Sequence, residues 1–571
     1  MAALVHIHES GEPGRATRVR PGDTQKSYAG ELAAELGRRV KGEVRFDDGS
    51  RALYATDGSN YRQTPIGVVL PKDTEDIVET MALCRRFGAP VLARGGGTSL
   101  AGQCCNVAVV IDCSKYMRGV LELDSKRKLA RVQPGIVLDQ LNAEAGKCNL
   151  IFAPDPATHS HCTLGGMIGN NSCGVHSVMA GKTDDNVEEL DLVTYDGVRM
   201  RVGKTGEEQA KALARKDGRE GEIYRGMLAL RDRYADLIRA RFPNIPRRVS
   251  GYNLDRLLPE RGFDVAKALV GSESTLVFVL EAKVRLVYSP PFRALVVLGY
   301  PDIYQAADHI IEILEHKPIG LEGMDDMLVE NMRKKGLHVP DLTYLPDGKG
   351  WLLVEFGGED QKEADHEARR FMKRLSRDPQ PPSMKLYEDK EEEGRVWQLR
   401  RSCLGATAFV PGEPVTWEGW EDSAVPPDKL GSYLREMCDL YHKYGYRGAL
   451  YGHFGQGCVH TRLNFDFNSA EGIDKYRRFV HEAAHTVVRY GGSLSGEHGD
   501  GQSRAELLPI MFGKELVQAF NEFKTLWDPD LKMNPGKVVY PYRVDENLRH
   551  GADYNPPQPQ THFAFREEGG W

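Results

Sequence analysis

The chain has ten cysteines but not one Cys-x-x-Cys pair, which excludes thiolate zinc sites and iron–sulfur ligation of the usual spacing. The cysteines are expected to be reduced thiols, many of them buried as small hydrophobes. No apolar run approaches the roughly 20 residues that a bilayer-crossing helix needs. The first ten residues also lack the long apolar core of a secretory signal, so the expected location is the cytoplasm, with no transmembrane segment. Positive charge is short as well: the formal net charge is −7, with no clustered Lys and Arg to meet a phosphate backbone, and a nucleic-acid partner is not expected. An anionic ligand must therefore find local cations. No repeat of solenoid period is present, so the architecture is built from unlike segments.

At 571 residues the chain exceeds what one hydrophobic core usually serves, and at least two domains are expected. Its 41% hydrophobic and 27% charged residues are ordinary for a folded globular protein. Residues 71–112 read as helix, strand, glycine turn and strand. Asp73 or Thr74 can cap a helix with Ile77, Met81 and Cys84 on one face, Gly88 and Pro90 end it, and strands follow at 90–93 and 107–111. Further strand-like runs at 120–123, 129–132 and 190–194, closed by one within 271–287, give an α+β domain of many short strands. Beyond Ser289-Pro290-Pro291 the pattern changes. A helix near 302–315, a charged segment at 378–395 and helices near 428–444 and 470–490 mark a second, α/β domain. The tail from Tyr540, with Pro541, Pro556, Pro557 and Pro559, reads as an extended arm.

Two glycine clusters stand out. Arg94-Gly95-Gly96-Gly97-Thr98-Ser99, followed by Gly102, offers consecutive backbone N–H groups to a pyrophosphate, and fits a tight turn between two strands equally well. The second runs from Pro154-Asp155-Pro156 through Thr163-Leu164-Gly165-Gly166 and Gly169-Asn170 to Gly174, a density that close approach to a large ligand explains. Gly181-Lys182-Thr183 imitates the end of a P-loop, but His176 stands where that loop requires glycine. The Rossmann fingerprint fails too, since no G-x-G-x-x-G joins a strand to a helix with an acidic residue at the right distance.

With both clusters in view, the chain resembles the vanillyl-alcohol oxidase and p-cresol methylhydroxylase flavoprotein superfamily. Residues 54–61, the segment Gly271-Ser272-Glu273-Ser274-Thr275-Leu276 and Met533-Asn534-Pro535-Gly536-Lys537 carry the same likeness, which spans about 54–539. It implies a two-subdomain FAD-binding domain and a C-terminal domain with an antiparallel, ferredoxin-like sheet and helices. Arg94, Gly95, Gly96, Gly97, Thr98, Ser99 and Gly102 would hold the FAD diphosphate; Pro154, Asp155, Thr163, Gly166, Gly169, Asn170 and Gly174 would line the flavin, with Glu273 beside it and Asn534 closing the site. Thr98 stands where some members carry a flavin-linking histidine, so a noncovalent FAD is implied. Ser274 departs from the usual glycine. The implied layout is an N-terminal arm and helix (1–45), the FAD-binding domain (46–288), a substrate domain with the metal site (289–505), a helical segment returning to the flavin (506–540) and a tail (541–571).

The most informative residues lie late. Gly452-His453-Phe454-Gly455-Gln456-Gly457-Cys458-Val459-His460 sets two imidazoles seven residues apart across a glycine-rich bend, and Gly496-Glu497-His498-Gly499-Asp500-Gly501 adds a carboxylate and a third imidazole. Two His nitrogens and one carboxylate make an open site for Zn²⁺ or a similar divalent ion. In a straight strand residues 453 and 460 would face opposite ways, so the glycines must bend the chain. Any one of these histidines alone also fits a structural role. The D-2-hydroxyglutarate and D-lactate dehydrogenases of the superfamily are similar here, which implies His453, His460 and Glu497 as metal ligands, His498 as catalytic base and Arg400 as the clamp on the substrate carboxylate. From its Lys/Arg/Glu-rich surroundings, Arg400 reads equally as a surface charge. Leu404 and Trp420 replace a threonine and a lysine for a distal carboxylate, which implies a shorter, apolar or differently held substrate tail.

Residues 417–427 and 561–571 look most like a bacterial subgroup fused to an iron–sulfur half. The resemblance thus implies FAD-dependent oxidation of a small D-2-hydroxy acid to the 2-oxo acid, with electrons passing to a separate iron–sulfur or quinone-linked acceptor and with homo-oligomerisation open. Two alternatives stand beside it: a redox-neutral flavoenzyme of the same scaffold, and a non-catalytic flavin electron-transfer subunit.

Overall fold

The computed structural model describes residues 22–555, with side chains from residue 28. Residues 1–21, Pro556, Pro557, Pro559 and the 561–571 segment lie outside the described residues.

The helix Thr74–Phe87 follows its punctuation. The Asp73 carboxylate accepts the Asp76 N–H at 3.0 Å, Ile77, Met81 and Cys84 are buried along one face, and Gly88 ends the helix at φ 64°. Strands Val91–Arg94 and Val109–Asp112 come next and pair in parallel. They belong to a four-stranded sheet ordered Glu43–Arg45, Gly67–Leu70, Val109–Asp112, Val91–Arg94, in which only the first pair is antiparallel. Its two central strands are buried throughout, as parallel strands covered on both faces are. The end of the chain returns to cover its edge: Val91 N–H donates to the Lys532 carbonyl at 2.9 Å and Asn534 N–H to the Val91 carbonyl at 2.8 Å.

A second, antiparallel sheet is ordered Val120–Asp124, Leu129–Val132, Phe278–Arg285, Val187–Val193, Arg199–Gly203. The expected strand at 271–287 is shorter than read. Gly271, Glu273 and Ser274 have φ of 83°, 52° and 61°, so the segment before Phe278 turns instead. The left-handed angle at Ser274 is the reason glycine suits this place. Here the serine hydroxyl compensates by accepting the Ala93 N–H at 2.9 Å.

The third sheet is antiparallel, ordered Ser383–Tyr387, Phe292–Tyr300, Gly350–Gly358, Gly320–Asp325, Tyr451–Gly452. Its alternation feeds two cores: Val296, Leu298, Leu352 and Val354 join the core that continues into the second sheet, while Leu295, Val297, Trp351 and Leu353 pack with Val396 and Leu399 of the helix Lys390–Arg401. That helix and Ser383–Tyr387 account for the charged segment at 378–395. The helix expected at 302–315 is two, Ile303–Asp308 and Ile310–Leu314, because His309 leaves helical geometry and stacks on Tyr300 at 5.1 Å. Helices Leu430–Tyr444 and Ala470–Arg489 lie where the sequence placed them. Among the described residues no helix is long and apolar enough to cross a membrane, and the ten cysteines are free and mostly buried.

Candidate active site

A cavity of about 810 Å³ is walled on one side by the glycine loops and on the other by the C-terminal domain. Strand Val91–Arg94 delivers the first loop. Its Gly96, Gly97, Thr98 and Ser99 N–H groups have no hydrogen-bond partner among the described residues, which is the donor array an anionic diphosphate requires. A Cβ on Gly96 would sit 2.5 Å from the His161 carbonyl, and one on Gly95 2.2 Å from Thr163 Oγ1. The two glycine clusters therefore pack together with no room for a methyl group. The residues present fit an FAD laid along this wall.

Arg94 through Ser99, Asp155, Thr163, Gly166, Gly169, Asn170 and Glu273 all face the cavity. The Arg94 guanidinium donates to the carbonyls of Tyr54, Thr56 and Cys104 at 3.2, 2.8 and 2.8 Å and braces the loop. Glu273 is a brace as well. Its carboxylate accepts the Asp500 and Gly501 N–H groups at 2.7 and 2.8 Å, and burial, with the neighbouring Asp500, pushes its pKa up to about 8.

Gly102, Pro154, Gly174 and Asn534 do not themselves line the cavity. Gly102 turns at φ 83° beneath the Tyr61 ring. Gly174 lets the chain pass the Asp155 carbonyl, where a Cβ would stand 1.9 Å from oxygen. Asn534 is fully buried and buckles three segments, bonding Asn106, the Gln103 carbonyl and the Glu273 carbonyl. Pro154 is buried beside the liner Asp155.

The bend the histidines need is present. Tyr451 and His460 face each other across a hairpin, with Gly452 at φ 154°, a 3₁₀ turn at Phe454–Gln456 and Gly457 at φ 71°. His453, His460 and Glu497 each offer a ligand atom within 4.8 Å of the others: His453 Nε2 is 3.0 Å and His460 Nε2 3.4 Å from Glu497 Oε2. Burial lowers the His460 pKa to about 4, so its imidazole is neutral, as a metal ligand must be. Burial opposes ionisation of Glu497, yet the facing histidines hold its pKa well below the usual value. This donor set fits a divalent ion.

Arg400 is buried rather than a surface charge, and it lines the same cavity. One end donates to Glu322 at 2.6 Å, its plane lies 5.3 Å over the Tyr451 ring, and its Nε has no partner among the described residues. His498 stacks on His460 at 5.1 Å, and its Nδ1 has no hydrogen-bond partner among the described residues. Burial would lower the His498 pKa, but Asp422, Glu421 and Glu497 raise it above the ordinary value. Leu404 is on the wall, whereas Trp420 is buried behind it under the Arg504 guanidinium.

Sequence reasoning missed the residues that support these. Glu322 accepts from both Arg400 and His453. Arg247, fully buried, donates to Glu497 and Gln456 at 3.2 and 2.7 Å. Asp422 accepts the Glu497 and His498 N–H groups at 3.0 and 2.7 Å. The one available signal was a glutamate in mid-strand among Gly, Leu and Met of Gly320–Asp325, all of it buried.

This architecture is a two-domain FAD-binding oxidase fold. It is shared with 4-ethylphenol oxidase from Gulosibacter chungangensis (TM-score 0.63, 14% identity, 90% of this chain and 97% of that one). It is also shared with an alkyldihydroxyacetonephosphate synthase (TM-score 0.57, 17% identity, 89% and 84%). Two family models match the chain: FAD binding domain over residues 65–203 and FAD linked oxidases, C-terminal domain, over residues 289–538. Among relatives, a D-2-hydroxyglutarate dehydrogenase of Pseudomonas putida is 32% identical over 91% of this chain and 53% of its own length. One of Escherichia coli is 28% identical over 88% and 51%. The chain thus spans about half the length of these dehydrogenases. The glycolate oxidase subunit GlcD of Bacillus subtilis is 28% identical over 88% of this chain and 95% of its own.

Proposed function

We propose that the chain is the flavin-bearing part of an FAD-dependent dehydrogenase that oxidises a D-2-hydroxy acid, of the D-2-hydroxyglutarate or D-lactate class, to the 2-oxo acid. The observation that carries this is the convergence of His453, His460, Glu497, His498 and Arg400 on the cavity that the flavin loops wall. The names and extent of the relatives support the substrate class.

In this reading His453, His460 and Glu497 hold Zn²⁺ or a similar divalent ion, and residues 94–99 with 155–170 hold a noncovalent FAD. When bound, the ion supplies a Lewis acid for the substrate's hydroxyl and FAD the acceptor for the C2 hydrogen with its electron pair. Arg400, which lines the cavity, holds the substrate carboxylate, and Glu322 keeps the guanidinium in place. His498 accepts the hydroxyl proton, and the carboxylates of Glu421 and Asp422, 3.7 and 3.8 Å from its Nδ1, stabilise the imidazolium that results. Electrons then leave for a separate iron–sulfur or quinone-linked acceptor.

The test is His498→Ala. The variant is expected to stay yellow and to bind metal, while flavin reduction by the D-hydroxy acid falls by about 10²–10⁴-fold. Unimpaired reduction would remove His498 from the chemistry.

A further inference from the structure

Next to the His453–His460–Glu497 set lies a second group of donors: Glu421, His460 and His498 also place one ligand atom each within 4.8 Å of the others. All three side chains line the cavity. Glu421 is 3% exposed, and among the described residues its Oε1 has no hydrogen-bond partner and neither has His498 Nδ1. Two unsatisfied donor atoms on one buried wall call for a partner. The nearest approach between these side chains, His498 Nδ1 to Glu421 Oε2, is 3.7 Å. That is too long for a hydrogen bond. It is close to the separation of two ligands that each stand about 2.0–2.2 Å from a tetrahedral ion.

We propose that Glu421, His460 and His498 form a second divalent-cation site, distinct from the His453–His460–Glu497 set and overlapping it at His460. The shared imidazole sets its behaviour. A neutral imidazole has one lone pair, so both ions bind together only through the two different nitrogens of His460, with its N–H proton released to solvent, and the second ion therefore binds more weakly, by about tenfold or more. It also occupies His498. On the reading of His498 as proton acceptor given above, an ion there blocks substrate oxidation, and excess zinc is an inhibitor. Glu418 and Asp422 flank Glu421 and are paired to Arg462 and Arg504, which leaves the Glu421 carboxylate as the charge without an arginine of its own.

Zinc titration of the FAD-loaded protein, followed by equilibrium binding, tests this with Glu421→Gln, Glu421→Asp and Glu497→Gln. The flavin band reports that each variant is folded. Wild type is expected to take up a tight and a weak equivalent; Glu421→Gln loses only the weak one, and Glu421→Asp keeps it with reduced affinity. In parallel, excess zinc inhibits flavin reduction in wild type and at least about tenfold less in Glu421→Gln. A Glu421→Gln titration identical to wild type, or equal inhibition of both, overturns the second site. A single equivalent lost in Glu497→Gln and retained in Glu421→Gln does so too, while leaving the first site intact. Zinc binding untouched by Glu497→Gln counts against the first site instead.

Discussion

The carboxylate of Glu322 accepts a hydrogen bond from His453 Nδ1 at 2.8 Å, deep in a strand with no solvent exposure. That bond leaves His453 Nε2 as the lone-pair nitrogen, facing Glu497. Burial works against the Glu322 charge, but His453 and Arg400 hold its pKa below the ordinary value. A carboxylate behind a ligating histidine fixes its tautomer and raises its basicity. Glu322→Gln is expected to weaken zinc binding by about 10–100-fold, measured by competition with a chromophoric chelator. Unchanged affinity would mean that Glu322 serves packing alone.

Arg400 offers a planar fork with one edge committed to Glu322 and an unpartnered Nε. Lysine keeps the charge and loses the fork. Arg400→Lys is expected to raise KM for the hydroxy acid by about 10–100-fold, the worth of one charged hydrogen bond at about 1.5–3 kcal/mol, with the flavin spectrum unchanged. A variant with wild-type KM would place the substrate carboxylate elsewhere.

His176 joins the two halves of the molecule, with Nδ1 2.6 Å from Asp155 and Nε2 2.9 Å from Glu355, which also pairs with Arg293 at 3.1 Å. Burial alone would lower its pKa, but the two carboxylates raise it from 6.5 to about 10. A raised folded-state pKa contributes stability that is complete below pH 6.5 and is lost as pH rises through about 10. His176→Gln should therefore cost about 1.5–3 kcal/mol near neutral pH and below, with the gap to wild type closing in alkaline solution. Denaturant unfolding at several pH values measures this, and a gap independent of pH would contradict it.

Gly96 has the His161 carbonyl where a Cβ would go, 2.5 Å away. Gly96→Ala must push the two loops apart and misalign the N–H array of residues 96–99. The expected product is folded protein that loses most of its FAD on gel filtration, read from the ratio of flavin to protein absorbance. Full retention would show that the diphosphate lies elsewhere.

How much of this was legible depended on whether the signal was local. Asp73, Gly88 and the apolar face of Thr74–Phe87 fixed that helix from neighbours a few residues apart, and Gly452 and Gly457 announced the bend that turns His453 and His460 together. Asn534, by contrast, was placed beside the flavin by its motif, and the structure uses it to fasten Asn106 and the backbone carbonyls of Gln103 and Glu273. Glu322 and Arg247 could not be found, because a single charged residue gains its meaning only from partners 131 and 250 residues away. Trp420 sits two residues from Asp422, which holds the Glu497-His498 backbone, yet its own ring points behind the wall.

The central claim is that the metal triad and the flavin loops act on one substrate in one cavity. Anaerobic mixing of the FAD-loaded protein with D- and L-2-hydroxyglutarate and D- and L-lactate, watching the flavin band before and after chelation, tests it most directly. The account predicts bleaching by a D-hydroxy acid only, abolished by the chelator and restored by stoichiometric zinc. Bleaching that survives metal removal, or that is equal for both enantiomers, would contradict it.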